Sequence, residues 1–281
     1  MGGPGRFVGV GIDVYKGHER LAHAVAEVTT VAKLLSAEFA GEPLLDPDQA
    51  QVMNYLKTVP GCLDTGPLVL LWCGHGMRSG SMLRLATRDA GGEINAAEVI
   101  YHCVRSGANQ LLFIVDTCQA EAGVGEATAV ASALLREVPP DAEHVWFGIL
   151  VSCSAGDIGA RDGAFGEALL RLLRDGPRSA DMRRRWSRHN RLIRGDDLGQ
   201  TLLEDWTGED QCPDFLRRGS AWYMLPNPLW DPGAPEEVVE HLLLAARRGA
   251  SNESLPVVVD IEADRPPAVQ IQIIAESDVW T

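Results

Sequence analysis

The sequence predicts an α/β fold: a mainly parallel central sheet of about six strands with helices on both faces. Three observations carry that expectation. Apolar runs alternate with helix-like segments through the first 175 residues, the order of a strand–helix–strand chain. The runs are continuous, as in FVGVGI (7–12), PLVLLWC (67–73) and LLFIV (111–115), so those strands should be buried on both faces. Two of the runs end in residues of unusual chemistry, at strand ends where open parallel sheets place their sites.

Taken in order, 7–12 is a first strand and 21–39 a helix, with Leu21, Val25, Val28, Ala32, Leu35 and Phe39 on one stripe. A second helix is expected over 47–58, capped by Asp46. The strand 67–73 follows, then a short extra strand at 83–86. A helix over 95–105 should stop at Gly107 and Asn109. The strand 111–115 leads to a helix over 125–137 that Pro139 and Pro140 end. A strand at 144–152 and a helix at 165–174 complete this part. The Arg-rich stretch 178–194 reads as a solvated helix or loop. A last strand is expected at 221–225, ended by Pro226, then an amphipathic helix over 235–248 and a hairpin of 256–261 with 269–274.

The chain has 281 residues, 46% of them hydrophobic and 23% charged, an ordinary composition for a globular protein. No apolar run approaches the roughly 20 residues needed to span a bilayer, and residues 1–6 lack a signal peptide's layout. A cytoplasmic protein with no membrane partner is expected. The net charge of −14 argues against nucleic acid as a partner and is compatible with an acidic pocket for a cationic substrate. The six cysteines are scattered without a CxxC pair, so reduced thiols are expected. The sequence shows no GxGxxG or Walker loop for a nucleotide and no GxSxG elbow for a serine hydrolase.

The first unusual strand end reads Trp72-Cys73-Gly74-His75-Gly76 and the second Asp116-Thr117-Cys118-Gln119-Ala120. If the two strands pair, an imidazole and a thiol come within working distance, since neighbouring strands lie about 4.8 Å apart. The thiolate is the nucleophilic form of cysteine. An adjacent imidazole can take its proton and return it to a leaving amine. His75 is the candidate base and Cys118 the candidate nucleophile. The backbone N–H groups of Gly76 and Cys118 are the candidate oxyanion donors. A lone histidine or cysteine more often serves packing. The pair, one after each of two candidate core strands, is much more specific.

On these residues the chain resembles the caspase-like cysteine peptidases (caspases, metacaspases and paracaspases), especially bacterial members. LLWCGHG is similar to the family's catalytic-His segment and LLFIVDTCQAEAG to its catalytic-Cys segment. GVGIDVY with the helix after it resembles the first strand and helix, and ILVSCSAGDIGARDGAFGEALLRLL the start of the small subunit. Caspases place the histidine about 50 residues before the cysteine; here the separation is 43. The resemblance implies a caspase-hemoglobinase fold and a cysteine endopeptidase that works through a Cys–His dyad, with no third member required.

It also implies a substrate class. Animal caspases carry Gln two residues before the cysteine and cleave after Asp. This chain has Asp116 there, as metacaspases do, and in those enzymes the carboxylate selects Arg or Lys. The expected substrate is therefore a protein or peptide with a basic P1 residue. Glu27, on the first helix, is a second candidate acid for the pocket, with an ordinary solvated position as the alternative. Cys73 either lines the same pocket or packs. Asp162 is expected to cap the helix near Phe165. No metal, calcium included, and no cofactor is expected.

The resemblance covers about residues 7–228. The expected organisation is a peptidase domain over 1–228, with a large-subunit-like part to about 138 and a small-subunit-like part over 139–228. An appendage or linker would follow over 229–281. Such appendages join bacterial caspase-like domains to regulatory protein partners, which implies an effector in a defence or cell-death system. The competing reading is a non-catalytic caspase-like scaffold that binds partner proteins.

Overall fold

The computed structural model describes residues 4–63, 66–80, 82–118, 145–153, 162–208 and 211–233, with the backbone of 258–259 and 271–272. The chain divides into two compact units, Met1–Trp230 and Asp231–Thr281. Among the described residues no helix is long and apolar enough to cross a membrane.

The first unit is built on one sheet. Strands β1 (Gly5–Gly11), β4 (Pro67–Cys73), β8 (Gln110–Asp116) and β9 (Trp146–Val151) are mutually parallel. The short strands β2 (Phe39–Ala40) and β3 (Leu44–Leu45) extend it beyond β1, also parallel. At the other edge β11 (Asp214–Gly219) pairs antiparallel with β9. The order across the sheet is β11-β9-β8-β4-β1-β2 with β3 also on β1, a mainly parallel sheet as expected from the sequence.

Alternate residues of each strand feed two separate cores. Val8, Val10, Leu68, Leu70, Trp72, Leu111 and Phe113 meet helices α2 (Gln49–Leu56) and α3 (Ala96–Val104). Phe7, Val69, Leu71, Leu112 and Ile114 face α1 (Ala24–Leu35), α4 (Ala164–Asp175) and α6 (Gly195–Asp205) on the opposite side. Burial on both faces is why the strands read as unbroken apolar runs. Each buried Leu or Val contributes roughly 1.5–3 kcal/mol, so strand order and register are strongly determined here.

Several local expectations need correction. Helix α1 begins at Ala24, not at 21, because the preceding chain is held away: Asp13 accepts the N–H of Leu21 on its carbonyl and that of Val25 on its carboxylate. Helix α2 is capped by Asp48, which forms a reciprocal capping box with Gln51. Asp46 instead turns the chain at φ 46° and accepts the N–H groups of Asp13 and Val14. The extra strand β6 (Met82–Ala86) lies outside the main sheet, between β5 (Gly76–Ser79) and β7 (Glu93–Asn95).

The Arg-rich stretch holds helix α5 (Ala180–Arg185) and strand β10 (Leu192–Arg194). The expected last strand is β12 (Tyr223–Pro226), which pairs with β10 apart from the main sheet. In the second unit Val258–Val259 (β13) pairs antiparallel with Ile271–Gln272 (β14). The helices read at 125–137 and 235–248 lie outside the described residues.

Candidate active site

The site lies at the carboxyl ends of β4 and β8. These strands are partnered from Pro67↔Gln110 to Cys73↔Asp116, so His75 and Cys118 each stand two residues beyond the last partnered pair. The pairing continues into the loops: Gly74 N–H donates to the carbonyl of Asp116 at 3.1 Å. At Gly76 a Cβ would come within 2.5 Å of the Cys118 carbonyl and 2.6 Å of Thr117 Oγ1. Glycine there lets the histidine loop and the cysteine loop touch.

Gly76 opens β5 opposite Leu85, and the preceding carbonyl of His75 accepts from Ala86 N–H. Hydrogen bonding alternates along an antiparallel pair, so the Gly76 N–H points away from β6. The cysteine side is braced by β9, since Ser152 Oγ and Cys153 Sγ both donate to the carbonyl of Thr117.

His75 is held from the β1–α1 loop. Its backbone N–H donates to the Tyr15 hydroxyl at 2.9 Å. Its ring Nε2 lies 2.7 Å from the carbonyl oxygen of Glu19. A carbonyl only accepts, so Nε2 carries the proton and Nδ1 is left as the basic nitrogen of the neutral ring. The Tyr15 ring packs 4.7 Å from the imidazole and His18 lies 5.6 Å away, centroid to centroid. Burial pushes the Tyr15 phenol up, against the opposing effect of its bond from His75, so it stays a neutral hydroxyl. Sequence reasoning missed both partners. Tyr15 sits in the GVGIDVY segment and could have been noticed. A backbone carbonyl leaves no mark in residue type.

The three residues nominated for the pocket come together. Glu27 lies on the inward face of α1 with Ala24, Val28, Val31 and Leu35, and only 4% of it is exposed. Cys73 is 1% exposed and stands beside Asp116 at the strand ends. One ligand atom from each residue can be chosen so that all lie within 4.8 Å of one another. Gly166 of α4 closes the far side, where any Cβ would collide with Glu27 Oε2.

The electrostatics follow from burial. Burial pushes the Glu27 carboxyl well above the usual carboxylate range, and Asp116 and Asp162 add to it. Burial raises Asp116 to about 6, while hydrogen bonds with Ser152 and Glu27 pull the other way. The Cys73 thiol is raised by burial and then by the two carboxyl groups. The hydrogen bond between the two carboxyl groups raises Glu27 and lowers Asp116, so a proton they share sits on the Glu27 side. Glu27 Oε1 is buried and receives no donor.

Asp162 does not cap the helix near Phe165. Its carboxylate accepts the N–H of Ala22 at 2.9 Å, and the N-cap of α4 is Gly163, which has no side chain to cap with. Because Gly163 takes φ 79° and packs on His23, the chain turns Asp162 back toward α1. Glu27 also borders a cleft of about 880 Å³ between α1, α4 and the segment after α6, lined by Asp162, Glu167, Arg171 and Trp206 among others. Neither His75 nor Cys118 lines that cleft.

No protein-family model and no curated protein matches the chain. Solved structures do match. Protein GSU0716 from Geobacter sulfurreducens is 15% identical with a TM-score of 0.53, covering 81% of this chain and 98% of that one. Caspase-1 from Spodoptera frugiperda is 13% identical with a TM-score of 0.51, covering 76% and 86%. This likeness shows a caspase-like fold: a mainly parallel sheet flanked by helices.

Proposed function

We propose that this protein is a cysteine endopeptidase in which Cys118 and His75 cleave peptide bonds after Arg or Lys. The observation that carries the reading is the β4–β8 register, which puts His75 and Cys118 at equivalent positions past Cys73↔Asp116, with their loops in contact at Gly76. The thiol proton of Cys118 passes to Nδ1 of His75 and the thiolate attacks the scissile carbonyl. His75 then protonates the leaving amine, and water attacks the resulting thioester. The N–H groups of Gly76 and Cys118 would face the oxyanion. The Glu19 carbonyl holds the ring in the required tautomer and stabilises the imidazolium that forms.

The basic preference rests on Glu27 and Asp116, with Cys73 beside them. The buried Glu27 and the half-buried Asp116, which share a proton in the resting protein, gain a partner when a guanidinium enters and displaces that proton to solvent. A guanidinium against carboxylate oxygens makes short, charge-assisted hydrogen bonds. The effector role and a regulatory partner on the stretch after residue 228 belong to the same reading.

A peptidyl-Arg electrophile followed by peptide mapping tests it. Modification of Cys118, ahead of the more exposed Cys62 and Cys212 and absent with a peptidyl-Asp analogue, is the expected result. Equal modification of all accessible thiols would instead favour a scaffold without catalysis.

A further inference from the structure

We propose that Glu27, Cys73 and Asp116 form a zinc site, and that Zn2+ held there excludes a basic side chain from the pocket. One chosen donor atom from each residue lies within 4.8 Å of the other two. A tetrahedral zinc with Zn–S of about 2.3 Å and Zn–O of about 2.1 Å has neighbouring donors roughly 3.5 Å apart. To reach that spacing each donor pair closes by on the order of 1 Å at most. They supply three ligands and leave a fourth position for water.

Besides the spacing, one buried atom points to a cation here. Glu27 is almost wholly buried yet its Oε1 receives no donor, and an unmet buried polar oxygen is costly to keep. The thiol selects among cations. Calcium wants six to eight oxygen ligands, and magnesium a near-octahedral oxygen shell. A thiolate with two carboxylates suits a borderline-soft ion such as zinc. The absence of a calcium-type acidic run in the sequence has no bearing on such a site.

Metal binding by the cluster stands apart from the peptidase reading; only the competition with substrate rests on it. The test uses the full chain, Co2+ as a spectroscopic stand-in and Zn2+ itself. Cobalt bound through Cys73 gives a sulfur-to-metal charge-transfer band that zinc bleaches with a stoichiometry of one. Cys118→Ala should retain the band. Cys73→Ser should lose it and weaken zinc binding at least tenfold, and Glu27→Gln should weaken zinc binding while leaving the thiol in place. In the wild type, zinc should raise the KM for a P1-Arg peptide without lowering kcat, and Cys73→Ser should lose that dependence whatever its own KM. A band that survives in Cys73→Ser and vanishes in Cys118→Ala would assign the metal to the nucleophile and overturn the proposal, as would no band in any form. If no form cleaves peptides but the band follows Cys73, the peptidase reading fails and the metal site stands.

Discussion

The carbonyl oxygen of Glu19 lies 2.7 Å from Nε2 of His75, and that contact decides which ring nitrogen is free to act as a base. A loop between the first strand and the first helix thereby sets the chemistry of a histidine 56 residues later. The same loop supplies the Tyr15 hydroxyl that anchors the histidine's backbone. Three chain segments therefore meet at the site, although only two carry the proposed dyad.

Tyr15→Phe removes the acceptor for His75 N–H while keeping the ring that packs on the imidazole. The bond is worth about 1 kcal/mol of stability. A small drop in melting temperature is expected, with kcat reduced several-fold and KM little changed. An unchanged kcat in a folded variant would remove Tyr15 from the positioning of His75.

Gly76→Ala forces a methyl group against the Cys118 carbonyl and the Thr117 hydroxyl. Overpacking of this kind destabilises by about 1–3 kcal/mol, and the two loops must separate to relieve it. Denaturant unfolding should show the loss, and hydrolysis should fall by more than the loss of folded protein explains.

Glu27→Gln replaces a carboxyl group whose proton affinity is raised in the fold. Asp116 is raised as well, to about 6. In this direction the folded protein binds more protons than the unfolded chain above the ordinary carboxylate range. Stability from the pair is therefore present in acid and declines as pH rises through about 6 and beyond. Melting curves in chelator-containing buffers should show the wild type losing ground to Glu27→Gln as pH rises over that range. Parallel curves for the two proteins would contradict the shared-proton arrangement.

Gly166→Ala pushes a methyl group into the Glu27 carboxyl without touching His75 or Cys118. The expected signature is a higher KM for basic substrates with thiol reactivity at Cys118 unchanged. A lowered reactivity of Cys118 would mean that the pocket and the dyad are not separable.

Legibility in the sequence followed burial. β4 and β8 could be placed almost to the residue because both faces are apolar, and their ends then delivered Cys73, His75, Asp116 and Cys118. The edge strand β11 was not legible, because its residues Asp214–Gly219 are mostly exposed and include two arginines. Helix α6 was missed for a related reason: it starts Gly-Asp-Asp and buries Asp197 and Thr201 beside Leu198 and Leu202. Asp46 is the cap expected from sequence, but the capping box with Gln51 belongs to Asp48. Glu27 could be named as an acid near the pocket, but its burial depends on Gly166, 139 residues further on, packing against it.

The most direct measurement is hydrolysis of matched fluorogenic peptides ending in Arg, Lys, Asp or Asn by the wild type, Cys118→Ala and Asp116→Ala. Cleavage after Arg and Lys that disappears in Cys118→Ala, with basic preference reduced at least a hundredfold in Asp116→Ala, is the predicted result. Cleavage after Asp, or hydrolysis that persists in Cys118→Ala, would contradict it.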